Sequence, residues 1–207
     1  ITRLKETYGK DVKVTAAVGK GTDNKTAAAV QRRNAEDMAY VEVATKLGMV
    51  DAKAAYYKFD NVMSTANVAD DYEIYAISAG LPLAKDLKLA ATYLINESEN
   101  VVNDDNGYVV ALNYKKASAA KPGSWAAWAK YYDQPSGTFV APTFEADDAS
   151  ADVNFFVDMV GGFEGYGVGV DYAIAKNIVA QVKYYDLEAQ IGDNDRQVLY
   201  SQVNFSF

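Results

Sequence analysis

The chain has 207 residues, half of them apolar, and its formal net charge at pH 7 is -8. It contains neither cysteine nor histidine. This composition excludes disulfide and thiol chemistry, and it removes the commonest general base and the commonest zinc ligand. No segment approaches the roughly 18 consecutive apolar residues that a membrane-spanning helix needs.

Apolar and polar residues alternate in ten segments, which is the period of a strand whose two faces meet different surroundings. In chain order the predicted strands are Val12–Val18, Tyr40–Leu47, Ala52–Asp60, Tyr72–Gly80, Leu87–Asn96, Gly107–Lys115, Trp125–Asp133, Gly165–Ala173, Ile178–Asp186 and Arg196–Phe207. Their lengths are close to the ~9–11 residues with which a tilted strand crosses a bilayer. The strands at 52–60 and 72–80 fit either register almost equally well, and residues 1–10 are unassigned.

The connections between these strands alternate in length. Short gaps at 48–51, 81–86 and 174–177 alternate with long ones at 19–39, 61–71, 97–106, 134–164 and 187–195, and 116–124 is intermediate. A soluble β-sandwich also has alternating strands, but its connections have no reason to keep this rhythm. Outer-membrane barrels do, because their periplasmic turns are tight and their external loops are extended.

Charge follows the same alternation. The long connections within 60–71, 97–106, 133–163 and 188–195 hold 16 acidic residues and no basic residue. At the other end, the stretches 81–88, 115–122 and 174–177 hold six lysines and one acid, Asp86. Solvated loops of a soluble protein are often acidic, but opposite signs at the two ends favour a molecule with two chemically distinct ends.

The chain ends in an alternating strand that finishes on an aromatic residue. Leu199, Val203, Phe205 and Phe207 share one face of this strand. This ending resembles the β-signal that the outer-membrane assembly machinery reads in bacterial barrels. The terminal ring would then lie in the aromatic girdle at the membrane interface.

Three segments carry a resemblance to a particular family. They are Lys121 to Phe144 (KPGSWAAWAKYYDQPSGTFVAPTF), Tyr166 to Asp186 (YGVGVDYAIAKNIVAQVKYYD) and the terminal QVNFSF. They resemble the C-terminal barrel portion of the outer-membrane porins of diderm Firmicutes, which carry an S-layer homology domain. The resemblance implies an all-β, antiparallel transmembrane β-barrel, with the ten strands as part of a sixteen-stranded, trimeric diffusion porin.

The same resemblance sets the expected organisation and partners. We expect residues 1–207 to be the C-terminal portion of the barrel, without the N-terminal cell-wall-binding domain. The expected partners are the outer-membrane bilayer, two further copies in a homotrimer, and the barrel assembly machinery acting on the C-terminal strand. Peptidoglycan or another cell-wall polymer would be bound only through the absent domain, and no nucleic-acid partner is expected.

The predicted function is passive diffusion of small hydrophilic solutes and ions through the outer membrane. No catalytic residue, cofactor or metal site is predicted. Apolar residues of the two cleanest strands are expected to face lipid, namely Val110, Leu112, Val168 and Val170. The candidate pore-lining residues are Lys13, Glu42, Lys46, Lys53, Lys88, Lys115, Lys130 and Lys183.

The longest connection, residues 133–162, is expected to fold inward and narrow the channel. Its apolar parts at 138–144 and 153–160 would anchor it, and the constriction candidates between them are Glu145, Asp147, Asp148 and Asp152. A lid over the barrel or a contact between protomers is the alternative for this loop. Two other functions remain open: a structural or adhesive barrel without an open pore, and an outer-membrane protease or lipase, whose chemistry generally relies on histidine.

Overall fold

The computed structural model describes residues 2–8, 12–20, 37–63, 69–98, 106–139, 159 and 161–206, with backbone alone at 2–8, 61–63 and 69–70. These residues form eleven strands and one short 3-10 turn. The strands are β1 (Thr2–Tyr8), β2 (Val12–Lys20), β3 (Asp37–Leu47), β4 (Val50–Met63), β5 (Ala69–Ala84), β6 (Leu87–Asn96), β7 (Asn106–Lys115), β8 (Trp125–Pro135), β9 (Gly162–Ala175), β10 (Ile178–Ala189) and β11 (Asp195–Phe205). The turn is Ser136–Thr138.

All eleven strands belong to one sheet, in which each pairs with its neighbours in chain order. Every pairing is antiparallel. The all-β, antiparallel fold class is therefore confirmed, as are the ten predicted strands. The prediction missed β1, which pairs with β2 from Thr2 opposite Val18 to Tyr8 opposite Val12.

Several strands run further than predicted. β5 has 16 residues and β4 has 14, where the alternating pattern indicated nine each. Ladder hydrogen bonds are made by the backbone, so pairing continues past the apolar segment into residues such as Asp70, which lies opposite Val62. The connection between these two strands is therefore shorter than the predicted loop at 61–71.

The tight connections lie at one end of the sheet, which we call the turn end. Leu47 pairs with Val50 across a two-residue turn, in which Gly48 has a φ of 63°. Asn177 has a φ of 65° in the turn between β9 and β10. Both residue types tolerate the left-handed conformation that such hairpin turns require. The opposite end of the sheet, which we call the loop end, carries the connections from β2 to β3, β4 to β5, β6 to β7, β8 to β9 and β10 to β11.

The pairing register divides the side chains between two faces. Lys53, Ser78, Thr92, Val109 and Tyr132 lie opposite one another in turn, so they share one face, which we call the inner face. Successive residues of a strand point to opposite sides. The neighbouring positions, including Val110 and Val168, therefore form the outer face.

The loop half of the inner face is a buried core. One cluster contains Phe59, Tyr72 and Ile74, with Leu94 packed against it. A second cluster contains Val109, Tyr132, Phe139, Met159, Phe163, Tyr185 and Leu187. Phe139 and Met159 belong to the connection between β8 and β9, so both ends of this loop pack on the inner face.

The sheet curves towards its inner face. Glu42 of β3 and Gln134 of β8 line the same cavity of about 140 Å³. In a flat sheet, five strand spacings of about 4.8 Å would place these residues roughly 24 Å apart. Because they line one cavity, the sheet must curve to bring β3 and β8 towards each other. The sheet is nevertheless open, because among the described strands β1 and β11 each pair on one side only. No helix in the described part of the chain is long and apolar enough to span a membrane.

Candidate functional site

The outer face exposes an apolar band between two rows of aromatic side chains. The row towards the loop end contains Tyr75, Tyr93, Tyr108, Tyr131 and Tyr166, and the row towards the turn end contains Tyr114, Trp125, Tyr172 and Phe205; all nine are exposed. Contacts within the rows include Tyr108 with Tyr131, whose ring centroids are 6.1 Å apart, and Tyr114 with Trp125, at 5.4 Å. Such paired aromatic girdles are typical of outer-membrane barrels.

The side chains between the girdles are exposed and mostly aliphatic. On β7, Val110 and Leu112 separate Tyr108 from Tyr114, and on β9, Val168 and Val170 separate Tyr166 from Tyr172. Six residue steps of about 3.4 Å place the two girdles about 20 Å apart along each strand. A soluble sheet packs its apolar face against a second layer, but here the apolar face is the uncovered one.

All eight candidate pore-lining residues occupy inner-face positions in the pairing register. Five of them, Lys13, Lys46, Lys53, Lys88 and Lys115, lie in the turn half of their strands, and Lys130 and Lys183 lie near mid-strand. Glu42 is opposite Thr15 and Ala55 on the same face. The turn half of the inner face is therefore polar and positively charged, in contrast to the apolar loop half.

Two of these lysines form ion pairs across strands. The Lys53 ammonium lies 3.5 Å from the Glu42 carboxylate, and the Lys88 ammonium lies 2.6 Å from the Asp51 carboxylate. Both lysine side chains are about half exposed, so each pair contributes only about 0–1 kcal/mol to stability. Their more important effect is to neutralise part of the positive inner face.

The ammonium of Lys115 is directed away from the other inner lysines. Lys115 ends β7 with a φ of 59°, and its Nζ lies 4.4 Å from the Trp125 ring centroid and 5.3 Å from that of Tyr114. Both rings belong to the turn-end girdle, and a cation over an aromatic face is favourable. Lys115 therefore lies at the rim of the sheet, where the left-handed terminal residue turns the side chain towards the outer face.

A network of amide side chains crosses the turn half of β9, β10 and β11. Gln181 Nε2 donates to Asp171 Oδ1 at 2.7 Å, and Gln181 Oε1 accepts from Asn204 Nδ2 at 2.9 Å. Gln202 Nε2 also donates to Gln181 Oε1, while its own oxygen accepts from the Tyr200 hydroxyl at 2.9 Å. These residues keep this part of the inner face polar, and the sequence prediction had not singled them out.

Glycines of β9 make room for aromatic rings on the inner face. A Cβ at Gly169 would collide with the Trp128 indole, and one at Gly167 would crowd both Trp128 and Tyr185. Trp128 and Tyr185 have ring centroids 6.0 Å apart. The alternate glycines of GYGVGV therefore allow two large rings to lie against the sheet.

The loop between β8 and β9 begins with a turn over the inner face. Asn96 Nδ2 donates to the Gly137 carbonyl, and the Thr138 hydroxyl donates to the Pro135 carbonyl at 2.9 Å. Phe139 packs edge-on against Phe163, with ring centroids 5.1 Å apart, and Met159 is fully buried. The predicted apolar anchoring of the loop therefore holds at these two residues.

The other loop candidates lie outside the described residues. These are Glu145, Asp147, Asp148 and Asp152, the proposed acidic middle of the loop. Asn96 of β6, Gln134 of β8 and Thr138 of the turn were not named as site candidates, although Gln134 and Thr138 lie within the segment 133–162 that was expected to fold inward. Asn96 is 1% exposed, and only its position at the loop end of an inner-face file could have marked it.

The C-terminal residues lie as the alternation indicated. Leu199, Val203 and Phe205 share the outer face of β11, and all three are exposed. Phe207 is outside the described residues. This arrangement leaves an apolar edge strand with its outer face uncovered.

Comparison of the chain with protein-family models gives no match, and comparison with curated proteins gives no significant match. Within the described ranges no three acidic side chains are grouped so that they could hold a metal ion. The functional argument therefore depends on the two faces of the sheet.

Proposed function

We propose that this protein is an outer-membrane porin, a channel through which small hydrophilic solutes and ions diffuse passively. The observation that carries the proposal is the uncovered apolar outer face between two aromatic girdles, opposite an inner face whose turn half is polar. An apolar surface of this extent is unfavourable in water and marks a membrane or protein interface. A band flanked by girdles fits a bilayer better than a protein partner, because the girdles match its two interfaces.

Membrane insertion requires the sheet to close. In the hydrocarbon region an unpaired backbone group costs several kcal/mol, so a spanning sheet has no open edge. We infer that the free edges of β1 and β11 are paired in the membrane, within the sixteen-stranded trimer that the family resemblance implies. The apolar file of β11 would serve as the signal for the assembly machinery, and attachment to cell-wall polymer would require a separate domain.

Passage through the channel would depend on two zones of the inner face. The turn half offers lysines, amides and hydroxyls to a water column, and charged rings of this kind select ions by their field. The loop half is narrowed by the Ser136–Thr138 turn and by Phe139. Acidic loops at one mouth and a basic wall at the other would leave weak net selectivity. No residue has a catalytic role in this account.

A structural or adhesive barrel without an open pore is the second candidate. It is favoured by the burial of Tyr132, Phe139 and Met159 on the inner face, since packed side chains could fill the interior. The polar turn half argues against this, because a packed core has no use for half-exposed lysines.

Conductance of the full-length protein in planar bilayers separates the two candidates. We expect stepwise channels whose conductance rises with salt concentration. Protein that inserts and shows the heat-dependent gel mobility of a folded barrel, but gives no steps at any salt concentration, would refute the porin in favour of the structural barrel.

A further inference from the structure

A cavity of about 140 Å³ lies between the inner face and the Ser136–Thr138 turn. At about 30 Å³ per water molecule it has room for roughly five waters, the scale of a small organic solute. Its lining is divided: Glu42 and Lys53 form a charged side, while Phe59, Ile74 and Phe139 form an apolar side.

The charged side presents one acid and one base close together. The Lys53 ammonium lies 3.5 Å from a Glu42 carboxylate oxygen, which is longer than an ideal charge-assisted hydrogen bond. The Glu42 side chain is 19% exposed and that of Lys53 is 52% exposed. The pair is therefore loosely formed and reachable from the cavity, so a solute can insert its own charges between the two groups.

The walls of the cavity are held in place by specific contacts. Asn96 binds the Gly137 carbonyl, Thr138 binds the Pro135 carbonyl at 2.9 Å, and Phe139 packs on Phe163. On the sheet side, the Ser78 and Thr92 hydroxyls lie 2.9 Å apart and also line the cavity. The turn is thus fixed to the sheet, and the cavity is a built feature of the fold.

We propose that this cavity is a low-affinity subsite for small zwitterionic solutes, that is, free amino acids with a short apolar side chain. The inference rests on the proposed channel and names a class of solute that it passes. The solute ammonium pairs with the Glu42 carboxylate, and its carboxylate pairs with Lys53. Its apolar side chain packs against Phe59 and Ile74.

Charge balance favours a zwitterion over a simple ion at this position. A zwitterion exchanges the Glu42–Lys53 pair for two new pairs, so neither protein charge is left alone. A cation paired with Glu42 leaves Lys53 without its partner, and an anion does the reverse. A single-charge analogue makes one of these two new pairs and lacks the other, so each analogue should bind more weakly than the zwitterion.

The test is binding of valine to the folded full-length protein in detergent, measured by ligand-observed NMR titration. Valine methyl ester carries only the cation, and N-acetylvaline carries only the anion. We expect saturable valine binding, with each analogue at least about tenfold weaker, as for the loss of one charge-assisted contact. Equal binding of the three ligands, or valine binding that does not saturate, would overturn the proposal without any mutation.

Variants locate the site. Glu42→Gln should weaken valine binding by about tenfold, as for the loss of one charged contact. Lys46→Gln is the matched control, because Lys46 is an inner-face lysine that does not line the cavity, and valine binding should be unchanged. If Lys46→Gln weakens valine binding as much as Glu42→Gln does, binding depends on the overall electrostatic field of the inner face and not on contacts in the cavity. That result would refute the subsite.

Conductance of the same preparation distinguishes failure of the subsite from failure of the channel. Stepwise channels without saturable valine binding would overturn the subsite and leave the porin standing. Saturable valine binding without channels would support the subsite and refute the porin.

Discussion

A charge placed on the outer face of β7 should destabilise the membrane-inserted protein, whereas the same charge one residue further along should not. Leu112 is an exposed outer-face residue between the girdle residues Tyr108 and Tyr114, and Asn113 lies on the inner face. At about 3.4 Å per residue, Leu112 lies about 7 Å from one girdle and about 14 Å from the other. It is therefore close to the middle of the apolar band.

Arginine at the midplane of an outer-membrane barrel costs about 2–4 kcal/mol, and near the interfaces the cost falls to about 0–1 kcal/mol. At the depth of Leu112 we expect about 2–3 kcal/mol for Leu112→Arg, which is roughly a 30- to 150-fold loss in the ratio of folded to unfolded protein. Asn113→Arg adds a charge to a wet, already basic wall, so it should cost less than about 1 kcal/mol.

The assay is urea-dependent folding of the full-length protein into lipid vesicles, with the folded fraction read from heat-dependent gel mobility. Asn113→Arg is the matched control for the arginine side chain itself, since the two sites are adjacent on one strand. Equal destabilisation by the two variants, or a larger loss for Asn113→Arg, would show that the outer face does not meet lipid.

Three further outcomes follow from the inner face. The double variant Lys130→Gln, Lys183→Gln should shift the reversal potential under a salt gradient towards cations, because it removes positive charge from the wall; no shift would place both lysines off the ion path. Phe139→Ala should raise single-channel conductance by releasing the inward turn, and unchanged conductance would favour a lid or a protomer contact for this loop. Gly169→Ala should lower the free energy of unfolding by about 1–3 kcal/mol, measured by urea titration, because the added methyl group overpacks the contact with Trp128. This loss of stability should largely vanish in a Trp128→Ala background. An equal loss in both backgrounds would show that the contact with Trp128 is not its cause.

Strand positions could be predicted where one face alone was apolar. The β7 strand was predicted as Gly107–Lys115 and is Asn106–Lys115 in the structure. The prediction was this close because four apolar or aromatic residues alternate without a break on its outer face, namely Tyr108, Val110, Leu112 and Tyr114. Period 2 fixes the face of every residue once one residue is placed. For the same reason the eight candidates occupy inner-face positions in the pairing register, although the Lys115 ammonium turns towards the outer face. That they line a pore stays a prediction.

The ambiguity of β4 and β5 has a tertiary cause. Ile74 and Phe59 are inner-face residues, yet they are apolar and buried, because the turn after β8 packs over this part of the sheet. That contact joins segments far apart in sequence, so no local pattern contains it. Strand β1 was missed because Thr2–Tyr8 has no regular alternation of apolar and polar residues. Its extended conformation is established by backbone pairing with β2.

The cavity beneath the inward turn was beyond sequence prediction for a related reason. Glu42 and Lys53 were chosen as separate wall residues, and their proximity follows from the β3–β4 register. Bringing Gln134 to them requires the sheet to curve across five strands, which depends on packing over the whole sheet. The position of the Lys115 ammonium likewise depends on a left-handed backbone conformation at a strand end, which alternation alone does not show.

The most direct test of the account is the accessibility of alternate residues along β7 in the membrane. These 207 residues contain no cysteine, so each cysteine introduced here is the only thiol in this part of the protein. In folded, vesicle-inserted full-length protein, a water-soluble maleimide should label Asn113→Cys and should leave Val110→Cys and Leu112→Cys unlabelled until the vesicles are dissolved. Equal labelling of all three positions in intact vesicles, or labelling of Leu112→Cys in preference to Asn113→Cys, would contradict the assignment of the outer face to lipid and the inner face to water.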